Sequence, residues 1–289
     1  MAQAQGHVGP IEHGETSGGG RRQPAPQDLL FSVVLLTHNR RDTVLACIDR
    51  IWQKTATPVA DYELIVIDNG SDDGTSMAIQ ELHPRVFEEH RRYTSMHVPT
   101  NEGVCVRNHG IRIARGQFIM QVDDDVEVGP AWDKVLLQPF SDPKIGGAGQ
   151  EGFYLNWAGL LAGPWVAPNF LDDRRPAPGD YTDLVMGYCW AWRNLRGLDG
   201  WPVFLYDERF NPHWHEETDL QLQIKAAGYR IRCGPAVAVH RSQKDWQAAR
   251  ANIGPVALNH AADHERLLIE KWADKRELLA LELDRRGLQ

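Results

Sequence analysis

Phe118-Ile119-Met120-Gln121-Val122-Asp123-Asp124-Asp125 carries a mostly apolar, strand-like run into three carboxylates with no intervening positive charge. Side chains alternate sides along an extended chain, so Asp123 and Asp125 are expected to project together while Asp124 turns away. Two carboxylates ~4 Å apart repel by about 1 kcal/mol in water and about 4 kcal/mol at the intermediate dielectric near a protein surface. A bound divalent cation reverses that penalty. A solvated acidic turn or a helix cap is the plainer alternative.

Three further strand-like runs lie upstream. Phe31 to Leu36 precedes a helical pattern over Thr43 to Trp52, Tyr62 to Asp68 precedes Thr75 to Leu82, and Tyr93 to Val98 precedes Val104 to Ala114. This rhythm predicts an α/β fold, a Rossmann-like, mostly parallel sheet with helices on both faces. Ligands of such open sheets bind beyond the carboxyl ends of the strands. Polar residues sit where that rule needs them: Thr37-His38-Asn39-Arg40 after the first strand, Asp68-Asn69-Gly70-Ser71 at the end of the second, Asn101-Glu102-Gly103 after the third, and the Asp run closing the fourth. No G-x-G-x-x-G follows the first strand, which argues against a dinucleotide dehydrogenase.

Bulk properties narrow the class. The chain has 289 residues, 42% of them hydrophobic, enough for a sizeable core. A net charge of -8, from 39 acidic and 31 basic residues, argues against a broad nucleic-acid-gripping surface. Cys47, Cys105, Cys189 and Cys233 form no C-x-x-C pair, so neither a zinc ribbon nor a disulfide framework is suggested, and a reducing cytoplasm is the simplest home. No stretch reaches the roughly 20 apolar residues of a membrane span, so no transmembrane segment is expected and any membrane contact is peripheral. Residues 1–28, rich in Gly, Gln, Pro and His, read as a disordered leader. Gly18-Gly19-Gly20 within it lacks the preceding strand that a phosphate loop requires.

After about residue 140 the pattern changes. Gly146-Gly147, Trp157, Trp165, Trp190, Trp192 and Trp201 lie among Pro and Gly with little periodicity, which suggests a loop-rich, aromatic, substrate-binding half. Aromatic rings stack on sugar faces, and equally they fill cores. A helix is expected over Glu217 to Ala227, then short strands at Tyr229 to Cys233 and Ala236 to His240. A long helix over Pro255 to Arg286 is free to cover the sheet, form a homodimer or touch a membrane surface.

Taken together, the segments Ser32 to Arg40, Leu64 to Thr75, Asn101-Glu102-Gly103 with Arg107-Asn108, the Asp run, and Asp207 to Tyr229 resemble a family 2 type glycosyltransferase with the GT-A fold. The likeness spans about residues 31 to 245. It implies a catalytic domain over 29–245, with a nucleotide-sugar half at 29–130 and an acceptor half at 131–245, followed by a C-terminal helical segment at 246–289. It further implies Mn²⁺ or Mg²⁺ at Asp123 and Asp125, with Asp125 the more direct ligand and His240 completing the site. A packed or surface role for His240 stays open. Thr37, Asn39 and Arg40 are implied to face ribose or phosphate, with Asn101, Asp123 and Asp124 also in the nucleotide-sugar set. Asp68 either reads the base or closes an Asx turn. Arg107 meets phosphate or an aspartate, or forms a structural salt bridge.

The family's Glu-Asp-x-Asp element falls at Glu216-Glu217-Thr218-Asp219, with Glu217 where Asp is common. Inverting members use the second acid as general base, which implies Glu217, with Glu216 beside it in the catalytic pair. Simple capping of the helix is the alternative. Trp190, Trp192 and His215 are the acceptor-binding candidates, and His213 lies near them. The implied partners are a nucleoside-diphosphate sugar and a hydroxyl-bearing acceptor, and the implied location is cytoplasmic, free or at the membrane periphery. The competing functions are nucleotidyl transfer, which normally shows a Gly-rich basic loop after the first strand, and a catalytically inactive nucleotide-sugar-binding protein.

Overall fold

The computed structural model describes residues 27–89, 91–155, 174–241, 255–273 and 275. The leader up to residue 26, Trp157, Trp165 and the end of the long C-terminal helix fall outside them. Among the described residues the main sheet has eight strands in the order β3-β2-β1-β4-β10-β6-β11-β8. Its first half is β1 (Leu29–Thr37), β2 (Tyr62–Asn69), β3 (Arg92–Val98) and β4 (Gly116–Asp123), all parallel.

β1 and β2 are buried on both faces, so they read as unbroken apolar runs. Phe31, Val33 and Leu35 point into one core and Val34 and Leu36 into the other. Helix α1 (Arg41–Lys54) covers the first of these through Val44, Cys47, Ile48, Ile51 and Trp52, one stripe at helical spacing. The second expected helix splits into α2 (Thr75–Gln80) and α3 (His83–Glu88). Pro84 explains the break, since it has no N–H with which to continue the α2 ladder. The third opens as a 3₁₀ turn at Val104–Val106 before α4 (Arg107–Ile113), which lies on the second core.

The expected loop-rich half supplies the other four sheet strands. β5 (Val126–Val128) and α5 (Trp132–Leu137) lead to β6 (Ile145–Gly149), and β7 (Gly152–Phe153) pairs with β9 (Leu184–Val185) in a small ribbon. β8 (Tyr181–Thr182) is the sheet edge, and β10 (Cys189–Arg193) runs antiparallel between β4 and β6. Helix α6 (Glu216–Ala226) precedes β11 (Arg230–Cys233), which is parallel to β6. β12 (Ala238–His240) then pairs with β5. The last helix, α7 (Pro255–Ala273), buries Leu268 and Trp272 against Phe210 and Leu222 rather than against the sheet. No described helix is long and apolar enough to cross a membrane.

Candidate active site

Register sets the site. Leu36 is opposite Asp123, Thr37 opposite Asp68, and Asp68 opposite His97, so the strand ends lie in one row. β4 stops at Asp123, and the next two aspartates form the turn into β5. The turn preserves the expected division by a different route: Asp123 and Asp125 stay together, and Asp124 points back under β1. There Asp124 accepts hydrogen bonds from Thr37 Oγ1 (2.8 Å) and Arg40 Nη1 (2.7 Å). Burial pushes the Asp124 carboxyl up to about 6, with Arg40 and Thr37 opposing.

Pairing of β12 with β5 places His240 opposite Val126, and its Nε2 lies 3.1 Å from Asp125 Oδ1. The Tyr188 ring stacks on the imidazole at 4.9 Å. Ligand atoms of Asp123, Asp125 and His240 lie within 4.8 Å of one another. Asp123 is also bound by Arg107 Nη2 at 2.7 Å, and Arg40 reaches Asp125 Oδ2 at 3.1 Å. Burial raises Asp123 despite Arg107. Burial also opposes charge on Asp125, but His240 and Arg40 outweigh it and hold that carboxyl below its ordinary range. Asp125 Oδ1 is buried with the His240 imidazole as its neighbour, and Asp123 stands close by. Desolvated carboxylates set together are costly, and a cation relieves that cost. Two carboxylates and an imidazole form a donor set suited to Mn²⁺ and tolerable for Mg²⁺. The residues fit a divalent cation.

The second acidic centre is the first turn of α6. Glu216 is 2% exposed, and burial disfavours its charge, but His213 Nδ1 at 3.2 Å brings the carboxyl below its ordinary value. Glu217 moves the other way, to about 7. Burial is the main cause, Glu216 and Asp123 add to it, and Arg107 and a hydrogen bond from Gln121 oppose it. Gln121 Nε2 donates to Glu217 Oε1 (2.6 Å) and to the Gly187 carbonyl (2.7 Å), and the Tyr206 hydroxyl donates to Gln121 Oε1. A Cβ on Gly187 would lie 1.6 Å from Glu217 Oε2, so the carboxylate keeps this position only beside a glycine. Asp219, the last acid of the element, is fully buried. It accepts from Lys271 Nζ (2.8 Å), Trp272 Nε1 (2.9 Å) and Gln223 Nε2 (2.8 Å).

Several expected contacts take different roles. Thr37 is buried and its hydroxyl is committed to Asp124, so it positions the Asp run instead of facing ribose. Asp68 is fully buried, with Oδ1 accepting from Ser71 N (3.3 Å) and Oδ2 beside His97 Nδ1 (2.8 Å). Asp68 thus ties down the following loop through Ser71, three residues on, and its carboxylate is wholly enclosed in this structure. Asn101 Oδ1 accepts from Asn69 Nδ2 (2.9 Å) and Gly103 N (3.0 Å), tying two loops together. Asn39, exposed at a φ of 52°, accepts from Asp72 N (2.8 Å). Arg40 keeps part of its guanidinium open to solvent above the acids.

Trp190 and Trp192 are corrected as acceptor-binding residues. At 0% and 1% exposed they stack on each other at 4.4 Å inside the core, so neither offers a ring face to a ligand. Their strand runs through the middle of the sheet, which buries both of its faces. His215 caps α6 at a φ of 65°, and burial lowers its imidazole to about 4, leaving it neutral at physiological pH. Gln121, Gly187, Lys271 and Trp272 were not anticipated. Gln121 carried one readable signal: a polar residue in an apolar run, two positions before Asp123 and so on the same face of β4.

The model of the family described as Glycosyl transferase family 2 matches residues 32–177. A validoxylamine A glucosyltransferase from Streptomyces hygroscopicus subsp. limoneus is 24% identical over 266 residues, covering 80% of this chain and 55% of that protein. A poly(ribitol-phosphate) beta-glucosyltransferase from Bacillus spizizenii is 31% identical over 101 residues, 34% of this chain and 15% of that one. The chain thus spans about half the length of the first of these relatives. Among solved structures, mannosyltransferase PcManGT from Pyrobaculum calidifontis in complex with GDP-Man and Mn²⁺ aligns with a TM-score of 0.53 at 16% identity, over 75% of this chain and 59% of that one. GalNAc-T7 with UDP, GalNAc and Mn²⁺ aligns at 0.55 and 16%, over 72% and 42%. At such identity the structures speak to the fold, and they agree on the GT-A arrangement of a mostly parallel sheet. With the family match covering half of the sequence, the chain belongs to glycosyl transferase family 2.

Proposed function

We propose that this protein transfers a sugar from a nucleoside-diphosphate sugar to an acceptor hydroxyl with inversion at the anomeric carbon, using Glu217 as general base. The observation carrying this reading is the pairing of two different acidic centres along β4: a cation-ready cluster at Asp123, Asp125 and His240, and a carboxylate at about 7 held by Gln121. A general base works best with a value near the operating pH. Neighbouring carboxylates driven apart, Glu216 down and Glu217 up, are what a divided set of roles requires.

A divalent cation on Asp123, Asp125 and His240 would supply charge stabilisation for the departing diphosphate. Arg107 orients Asp123, and Thr37 and Arg40 hold Asp124 away from the cluster. Glu217 accepts the acceptor hydroxyl's proton as that oxygen bonds to the anomeric carbon. The bond from that carbon to the diphosphate oxygen breaks on the opposite face, and its electron pair leaves with the nucleoside diphosphate. In this reading 29–130 is the nucleotide-sugar half and 131–245 the acceptor half.

The test is a panel of nucleotide sugars with Mn²⁺ and Mg²⁺, followed by nucleoside diphosphate release and by NMR of the product anomer. Release from one donor with inverted configuration is expected. Retained configuration would overturn the base assignment, and pyrophosphate release from a nucleoside triphosphate would point to nucleotidyl transfer instead.

A further inference from the structure

Helix α7, like α6, lies outside the matched family region, and it is fastened to the segment that carries the proposed base. Lys271 Nζ lies 2.8 Å from both Asp219 Oδ2 and Asp207 Oδ2, and Trp272 Nε1 donates to Asp219 Oδ1 at 2.9 Å. His264 Nδ1 is 2.8 Å from the carbonyl of His213, the residue that pairs with Glu216, and its ring packs edge-on against Phe210 at 5.7 Å. Asp207, Phe210, His213 and Asp219 span the approach to α6 and its first turn. The helix therefore grips the catalytic segment on both sides of Glu216 and Glu217.

From this arrangement we infer that Lys271 and Trp272 are positioning residues for the transfer step, setting the place of Glu217 through Asp219. The inference rests on Glu217 being the base. It also accounts for the last acid of the Glu-Glu-x-Asp element: Asp219 is fully buried and its carboxylate is occupied by α7 and Gln223, so it touches no substrate. A buried carboxylate held by a cation and an indole N–H has one stable geometry, because an unpaired charge there is strongly unfavourable. Asp219 and Glu217 share one helical turn, so movement of the first displaces the second. Errors of about 1 Å in such placement cost rate by roughly 100-fold. The Asp123, Asp125 and His240 cluster stands on β4, its following turn and β12, and its carboxylates pair with Arg107 and Arg40.

The two parts of the site should separate in a paired measurement on the full chain. The rate is nucleotide-sugar hydrolysis, read as nucleoside diphosphate release to water, and the affinity is Mn²⁺-dependent binding of the same nucleoside diphosphate by calorimetry. For Lys271→Met and Trp272→Phe, kcat should fall at least tenfold while diphosphate affinity stays within about twofold of the parent. Lys271→Arg should restore kcat to within about threefold, since it keeps a cation between Asp207 and Asp219. Unchanged kcat in both variants would overturn the positioning role alone. Equal loss of kcat and affinity would also overturn it, since that pattern belongs to general loosening. A parent protein that binds and hydrolyses no nucleotide sugar would remove the proposed function together with this inference.

Discussion

Replacing Glu217 by Gln tests the catalytic reading and its physical basis at once. The substitution keeps the shape of the side chain and an oxygen able to accept from Gln121 Nε2, now 2.6 Å away, but it cannot take a proton. General-base catalysis is typically worth about 10²- to 10⁴-fold, so kcat should fall by that range. With Glu217 at about 7, log(kcat/KM) of the parent should climb with a slope near one below that pH and flatten above it. The Gln variant should lose this limb. Cation binding relieves the contribution of Asp123, so the limb in assays with metal should lie below that in the free protein but above the ordinary 4.5, because burial and Glu216 persist.

The same shift sets a stability difference. The carboxyl rises from 4.5 to about 7 on folding, and at roughly 1.4 kcal/mol per pH unit, charging it in the native state costs on the order of 3 kcal/mol. A raised folded value means that the neutral form's advantage is fully present below pH 4.5 and is lost as the pH climbs through 7. Urea unfolding with a chelator present should therefore find Glu217→Gln more stable than the parent at pH 8, with the gap closing toward pH 4.5. A variant equally stable at both pH values would refute the claim that burial and like charge raise this group. Near-parental kcat would refute its role as base.

Three further outcomes follow from particular contacts. Asp125→Ala should abolish the thermal shift that Mn²⁺ with a nucleoside diphosphate produces, whereas Glu217→Gln should retain it; a retained shift in the aspartate variant would remove Asp125 from the cation site. Gly187→Ala sets a methyl carbon where Glu217 Oε2 lies, so kcat should drop roughly 100-fold with diphosphate affinity little changed. Trp192→Ala should cost about 3–5 kcal/mol in urea unfolding, as expected of a core aromatic, with acceptor KM unaffected where the protein is folded; a selective rise in KM would restore its acceptor role.

The parallel half of the fold was legible because strands buried on both faces, such as Leu29–Thr37 and Tyr62–Asn69, are continuous apolar runs separated by helical periods. The other half hid its strands for a physical reason. Ile145-Gly146-Gly147-Ala148-Gly149 has little strand propensity. It is extended because Gly146 must pass beneath Tyr229 and Gly149 against Val185, and that is a demand of tertiary packing. Nothing local distinguishes a tryptophan stacked on its neighbour from one waiting for a sugar, hence the misplacement of Trp190 and Trp192. Thr37 and Asp68 sit at strand ends where ligand contacts occur, but Thr37 is taken up by the buried Asp124 and Asp68 by His97, its register neighbour on β3. His240 was suggested by the family resemblance, at the end of a short apolar run, and its proximity to Asp125 depends on the β5–β12 pairing.

The link between the two acidic centres was the least accessible feature, since Gln121 and Glu217 are 96 residues apart. It is also the one that makes the site a unit. Gln121 and Asp123 are two positions apart on one strand, about 6–7 Å along it and on the same face. Asp123 takes the Arg107 guanidinium on that face, and Gln121 takes Glu217, with Tyr206 and the Gly187 carbonyl fixing its amide. The charge of Asp123 helps raise Glu217, so in the proposed reaction a cation at Asp123 would make that carboxyl easier to ionise as well as stabilise the departing diphosphate. On the proposed function, donor binding and readiness of the base would thereby be coupled electrostatically through β4.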